Sequence, residues 1–142
     1  LVESWLQESG LQGEDRATVL GAVLKHEVKN DPSATMVQIA LMDADRVVNL
    51  ELDLVIRSGQ FYHDLPPVDY IHFLDDSDAS YKNPKSCVKD ISYSLDWADP
   101  SSPFCARTKK GLELAQERAS HLRQFIEVLK SQLQAVGLCT NA

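Results

Sequence analysis

The sequence predicts an α+β domain in which an antiparallel meander of three or four strands is flanked by an N-terminal helix and a long C-terminal helix. Three patterns predict this class. Apolar residues recur at helical spacing over Glu14–Lys29, they alternate with polar residues over Val48–Ile56, and they form heptads over Leu112–Val136. The length of 142 residues suits a single domain spanning 1–142.

The first long helix is predicted over Glu14–Lys29. Glu14 and Asp15 are acidic and favour the start of a helix, where the helix dipole is positive. Pro32 follows shortly after the segment, and a proline pushes the residue before it out of the helical region, so the helix should end there. Residues 1–13 are expected to form a short helix or a packed lead-in. The apolar positions with helical spacing are Ala17, Leu20, Val23 or Leu24, and Val28.

Four strands are predicted between the two helices. The strongest alternation puts Leu50, Leu52 and Leu54 on one side of a strand, with polar residues between them on the other side. The preceding Asp43–Arg46 segment is short and polar, and it is predicted to be the turn of an antiparallel hairpin. The strands are predicted over Thr35–Met42, Val48–Ile56, Val68–Leu74 and Ile91–Trp97, the last burying an aromatic row.

The C-terminal helix is predicted over 103–137, with Ser102 as its N-cap, Pro103 at the first helical position and Gly137 as the residue that ends it. If Gly111 interrupts it, the helix would begin one or two turns later. From Leu112 to Val136 it would be about 37 Å long at ~1.5 Å per residue, longer than a small domain is wide. Its apolar seam is therefore predicted to cover the sheet along one part and to bind a partner along another. The seam residues are Leu112, Ala115, Ala119, Leu122, Ile126, Leu129, Leu133 and Val136.

The charge balance excludes several classes of partner. Lys and Arg number 14 and Asp and Glu number 21, so the net charge of −7 disfavours nucleic acid and anionic lipid. No apolar run approaches the roughly 20 residues that cross a bilayer, and the first residues do not resemble a secretory signal. We therefore expect an intracellular protein, cytoplasmic or nuclear, that binds neither nucleic acid nor a membrane.

No cofactor or metal site is predicted. The four histidines lie on different predicted elements without an HxxxH or HxH pair, and the sequence has no glycine-rich phosphate loop. Cys87, Cys105 and Cys139 form no CxxC pair, which fits a reducing compartment. An oxidising compartment would allow a Cys87–Cys105 disulfide.

The order of elements and one corner motif resemble a known superfamily. The segment Tyr62–Val68 reads Tyr-x-x-x-Pro-Pro-Val, and Cys87 and Trp97 follow it. This layout resembles RWD domains and their relatives, the ubiquitin-conjugating enzymes and their inactive variants. Ser77-Asp78-Ala79 stands where the conjugating enzymes have a His-Pro-Asn tripeptide, whose asparagine stabilises the oxyanion, and His63 replaces the proline after the tyrosine. The resemblance therefore implies an inactive, protein-binding relative with an RWD-like fold.

The predicted function is that of a non-catalytic protein-interaction or assembly module of a larger intracellular complex. It would bind a protein partner, or a second copy of itself, through the C-terminal helix and the sheet edge near Pro66 and Pro67. One alternative is a thiol enzyme of the ubiquitin-conjugating type that uses Cys87, since Lys85 and Lys89 would lower the pKa of its thiol. The other alternative is a small acidic chaperone for a secreted protein.

Overall fold

The computed structural model describes residues 2–138, and within that range the chain is helical and contains no strand. The predicted α+β fold with its antiparallel meander, and with it the RWD-like architecture, is therefore wrong. The elements are α1 (Val2–Glu8), α2 (Gly13–Leu24), α3 (Met36–Val48), α4 (Leu54–Phe61), α5 (Cys87–Ser94), a 3-10 helix (Leu95–Ala98) and α6 (Lys109–Ala135).

Each of the four predicted strands has a different conformation. The first, Thr35–Met42, is the first half of α3, with Thr35 as an N-cap whose side chain accepts a hydrogen bond from the Gln38 amide. The second, Val48–Ile56, contains the end of α3, a turn and the start of α4. The third, Val68–Leu74, is a series of turns, and the fourth, Ile91–Trp97, lies in α5 and the 3-10 helix.

Helix α3 was predicted as a strand because it is apolar on two faces. Its buried residues follow a helical period, but apolar residues also occupy the solvent side, including Val37 and Leu41. Because both sides of the helix are apolar, the alternate residues Val37, Ile39 and Leu41 are all apolar. This spacing has the period of two that is typical of a strand. The buried residues of α3 are Gln38, Ile39, Met42, Asp43, Arg46 and Val47.

The predicted turn at Asp43–Arg46 lies in the middle of α3, and its Asp43 side chain is buried. The Asp43 carboxylate accepts hydrogen bonds from the Arg107 amide (2.9 Å), the Thr108 amide (2.7 Å) and the Thr108 hydroxyl (2.7 Å). These donors precede the first turn of α6. Asp43 therefore fixes the position at which α6 begins against α3.

Arg46 lies three residues further along the same buried face. Its guanidinium donates to Asn30 Oδ1 (2.8 Å), the Cys105 carbonyl (2.8 Å) and the Val28 carbonyl (3.3 Å). Burial lowers the pKa of the Arg46 guanidinium from its ordinary value. The side chain thus ties the α2–α3 connection to the segment before α6, with its charge compensated by carbonyl oxygens.

Helix α6 begins at Lys109, six residues after Pro103, which agrees with the later of the two predicted starts, and Thr108 rather than Ser102 is its N-cap. The Thr108 hydroxyl accepts a hydrogen bond from the Gly111 amide at 3.0 Å. The predicted end is confirmed: Gly137 has a φ of 79°, its amide donates to the Gln134 carbonyl, and the Leu138 amide donates to the Leu133 carbonyl. These two bonds form a Schellman motif.

The core lies between α6, α3, α5 and the 3-10 helix. Met42, Leu50, Ile91 and Leu122 are almost inaccessible to solvent. The first predicted helix is confirmed at its start but ends at Leu24, with α2 packed on α3. Within residues 2–138, no helix combines the length and the apolar character needed to cross a bilayer.

Replacing Gly111 by alanine should destabilise the protein. A Cβ atom at residue 111 would lie 2.6 Å from Asp43 Oδ2 and 2.7 Å from Thr108 Oγ1, so the cap of α6 would have to move. We expect Gly111→Ala to lower the free energy of unfolding by ~1–3 kcal/mol, measured by urea denaturation. This loss would occur although alanine is the better helix former by about 1 kcal/mol.

Gly59→Ala in α4 is the matched control, because nothing lies within 4 Å of a Cβ at Gly59. We expect this variant to be as stable as the parent or more stable. A Gly111→Ala protein that gains stability to the same extent as Gly59→Ala would contradict the close contact with Asp43.

Candidate functional site

An open cleft of about 1130 Å³ lies next to the C-terminal half of α3. Its walls are α4, α5 and the 3-10 helix, together with the segment that follows α2. A large pocket with convergent polar groups is the default location for a ligand site. The cleft is therefore the candidate functional site of the described chain.

Aromatic side chains dominate the lining of the cleft. Six of the ten aromatic residues of the chain face it. Tyr81 meets Tyr93 edge-on with ring centroids 6.2 Å apart, and Phe61 meets Tyr62 in the same way at 4.8 Å. Phe61 and Tyr81 are exposed at the rim, whereas the other rings are partly buried. The six residues are Phe61, Tyr62, Tyr81, Tyr93, Trp97 and Phe104.

Asp90 places a carboxyl group in the wall between α4 and α5. The Ser58 hydroxyl donates to Asp90 Oδ2 at 2.8 Å, and the Tyr62 hydroxyl donates to the same carboxylate. Burial raises the pKa of Asp90, and these two hydrogen bonds oppose that rise. Asp90 thus links two helices and is already largely saturated with donors.

Asp96, a second carboxyl group of the cleft lining, has fewer donors around it than Asp90. Among residues 2–138, no side chain or amide donates a hydrogen bond to its carboxylate. Partial burial raises the pKa of Asp96, and the negative charge of Asp99 raises it further. Its acceptor oxygens lie in the same cleft as the ring of its neighbour Trp97.

His26 lies at the edge of the cleft, and both of its ring nitrogens are close to oxygen atoms of the chain. Its Nδ1 lies 2.6 Å from the Val23 carbonyl, which can only accept, so Nδ1 carries the proton. Its Nε2 lies 3.5 Å from Glu27 Oε1.

The arginines of the cleft are already paired. Arg57 forms an ion pair with Asp53 at 3.0 Å and donates to Asn49 Oδ1 at 2.9 Å. Arg46 donates its hydrogen bonds to backbone carbonyl oxygens and to the side-chain amide oxygen of Asn30. The arginines of the cleft are therefore occupied by protein acceptors, whereas the exposed Lys82 lines the cleft together with the aromatic rings and carboxylates.

The predicted partner-binding seam lies largely inside the fold. Ala115, Ala119, Leu122 and Ile126 are buried in the core of the chain itself. Leu112, Leu129 and Leu133 are partly buried against that core, and Val136 is 71% exposed. The predicted sheet edge near Pro66 and Pro67 is wrong, because residues 2–138 contain no strand. The carbonyls of both prolines accept hydrogen bonds from the first amides of α5.

Cys87 has surroundings opposite to those predicted for a reactive thiol. It is buried at the start of α5, and its Sγ lies 3.9 Å from the Tyr62 carbonyl. Burial raises the pKa of the Cys87 thiol, with Asp90 raising it further, whereas the sequence predicted that Lys85 and Lys89 would lower it. Cys87 and Cys105 are free thiols, and Cys139 lies outside the described residues.

Alkylation rates should separate the two described cysteines. We expect iodoacetamide at neutral pH to label Cys87 more slowly than Cys105, because Cys87 is buried with a raised thiol pKa and Cys105 is partly exposed. Peptide mass spectrometry over a time course would measure both rates in the folded chain. Faster labelling of Cys87 than of Cys105 would restore it as a candidate nucleophile, and urea-unfolded protein, in which both should react alike, is the control.

Three groups with possible metal-ligand atoms cluster on the surface at Asp69, His72 and Asp76, within 4.8 Å of one another. His72 Nδ1 lies 3.0 Å from Asp69 Oδ2, and this ion pair accounts for the approach of the two side chains. The hydrogen bond to Asp69 raises the pKa of the His72 imidazole above its ordinary value. The cluster is thus explained by a local ion pair.

The titration of His72 should reveal that pair. Because Asp69 stabilises the charged ring, we expect its NMR titration midpoint to lie above that of a free histidine and to fall towards that value in Asp69→Asn. A His72 midpoint that Asp69→Asn leaves unchanged would exclude the ion pair in solution.

The sequence patterns did not predict the cleft. Tyr93 and Trp97 were predicted to share the buried row of a strand, but they line an open surface from α5 and the 3-10 helix. The one local signal was the density of aromatic residues in two stretches, 61–81 and 93–104. The density of aromatic residues does not indicate that the two stretches lie close together in the fold.

Comparison of the chain with protein-family models, with curated proteins and with solved structures gave no match. A relationship to the RWD and ubiquitin-conjugating families is therefore neither supported nor opposed by these comparisons. A function for the chain has to be inferred from the geometry of its described residues.

Proposed function

We propose that the chain is a ligand-binding module whose cleft takes a small organic molecule with a flat, nitrogen-containing aromatic ring. The observation that carries the proposal is the convergence of six aromatic side chains, from separate segments, on one cleft that also holds the carboxylate of Asp96. Rings that merely fill a core would be enclosed, whereas Phe61 and Tyr81 are mostly exposed.

The aromatic side chains select a flat ligand. Offset-stacked and edge-to-face ring pairs contribute about 0.5–1.5 kcal/mol beyond the burial of apolar area. In the edge-on pairs Phe61–Tyr62 and Tyr81–Tyr93, the exposed rings of Phe61 and Tyr81 are open to such contacts, whereas Lys89 Nζ lies over the Tyr93 ring at 5.2 Å. A planar ring could therefore contact several side chains at once.

The polar groups favour a ring that carries N–H donors. The Asp96 carboxylate has acceptor oxygens to which no donor of residues 2–138 is bonded. A ligand that covers these acceptors displaces water from them, and an acceptor left unpaired under the ligand costs free energy. Amino-substituted heteroaromatic rings supply both the flat face and the replacement donors, whereas a hydrocarbon ring supplies only the flat face.

Fluorescence of Trp97 would test the proposal. In a Trp5→Phe background, Trp97 is the single tryptophan, and it lines the cleft. We expect saturable quenching by adenine, cytosine or a pterin, and weaker quenching by naphthalene sulfonate, which lacks N–H donors. The absence of saturable quenching by every ring compound would refute the proposal.

Two variants assign the binding to the cleft. We expect Asp96→Asn to weaken binding about tenfold, equivalent to about 1.4 kcal/mol, because it loses the charged acceptor while keeping its shape. Asp78→Asn is the matched control, since Asp78 is exposed and lies outside the cleft lining. Equal losses in both variants would point to a general charge effect and not to the cleft.

The interaction role predicted from the sequence would use a smaller surface than the whole seam. Four seam residues are buried in the core, so a partner could contact the seam mainly at the last turns of α6. Val136 there is exposed, as are Val128 and Leu138. These side chains would add to a partner contact but form a shorter stripe than the predicted seam.

A further inference from the structure

The outward face of α3 is apolar along its whole length. Met36 is 70% exposed and Val48 is 52% exposed, and the side chains between them on this face are also exposed and uncharged. Isolated exposed apolar residues are ordinary, but a continuous patch of this kind marks an interaction site. The apolar face of α3 consists of Met36, Val37, Ala40, Leu41, Ala44 and Val48.

The spacing along this face fits a helix. Val37, Leu41, Ala44 and Val48 are separated by steps of four, three and four, which is the pattern of a helix-pairing seam. The seam is about 17 Å long at ~1.5 Å per residue, close to three turns. Ala40 and Ala44 are small and would let a partner helix approach closely between the larger side chains.

The charges around the face indicate the kind of helix. Asp45 lies in α3 one turn from Leu41 and Val48, and Glu51 and Asp53 follow the end of the helix, whereas Arg46, the basic residue of α3, is buried. Glu51 forms an ion pair with Arg118 at 2.8 Å and Asp53 with Arg57, yet both carboxylate side chains stay about half exposed. An acidic border favours basic residues on the partner.

We infer that the apolar face of α3 binds an amphipathic helix of another protein, with apolar residues at heptad spacing and Lys or Arg beside them. A second copy of the chain is the less suitable occupant. Each copy carries a net charge of −7, and a symmetric pair would bring the same acidic borders together. The face and the cleft lie on adjoining sides of α3, because Asp45 borders the face and also lines the cleft with Arg46 and Asn49.

Designed peptides would test the inference. We would label a helical peptide with leucine at heptad positions and lysine beside them, and measure its fluorescence anisotropy with the full chain. A second peptide carries glutamate in place of each lysine. We expect the lysine peptide to bind at least about tenfold more tightly than the glutamate peptide, with the difference shrinking as salt is added.

Variants of the chain would locate the contact. Leu41→Glu and Ala44→Glu each place a charge in the seam, and we expect each to weaken the lysine peptide at least about tenfold. Ile71→Glu, at an exposed turn residue away from α3 in sequence, should leave binding unchanged. Circular dichroism of each variant checks that it remains folded, and Ala44→Glu retains a good helix former at an exposed site.

Two results would overturn the inference. One is equal affinity for the lysine and glutamate peptides, or binding that Leu41→Glu and Ala44→Glu do not weaken. The other is a dimer in sedimentation velocity that Ala44→Glu dissociates, which would make the occupant a second copy. Neither result depends on ligand binding in the cleft, so this test can fail while the proposed function stands.

Discussion

The buried carboxylate of Asp43 is the contact on which the arrangement of the helices depends. It sits on α3 and accepts three hydrogen bonds from Arg107 and Thr108, immediately before α6. A buried charge is tolerated only when donors surround it, and here the positive end of the α6 dipole adds to them. Gly111 leaves the space that this approach requires. Because α6 supplies much of the core, the position of its first turn determines the packing of the helices around it.

The elements predicted correctly are those whose signals are local. Gly137 ends α6 through a backbone conformation that glycine adopts readily, and Glu14 and Asp15 lie in the first turn of α2. The predictions were wrong where the conformation of a residue depends on contacts with residues distant in the sequence. Asp43 and Arg46 were assigned to a turn because they are polar, but they are buried in α3 and hydrogen-bond to Arg107 and Cys105, about sixty residues away. The helical period of α3 was missed because its outer face is also apolar.

The cleft shows why a site can be less predictable than the helices that form it. Its rings come from α4, from the segment before α5, from α5 itself and from the segment before α6. Their convergence depends on how α4 and α5 pack, to which the Ser58–Asp90 hydrogen bond contributes, and that bond joins residues 32 positions apart. The pKa predicted for the Cys87 thiol was wrong because it considered only neighbours in the sequence. The adjacent lysines predicted a low thiol pKa, but burial and Asp90 have the larger effect in the folded chain.

Helix α3 contributes to both proposed surfaces, and its anchoring decides whether they influence each other. Two sites are coupled only when a ligand at one has different affinities for two states of the element they share. Asp43 and Arg46 hold α3 by hydrogen bonds to the segments on either side of it, and both side chains are buried. Moving α3 would break these bonds and expose buried charge, which is costly. A helix bound to the outer face would therefore add contacts without displacing Asp45 or Asn49, and the cleft would keep its shape.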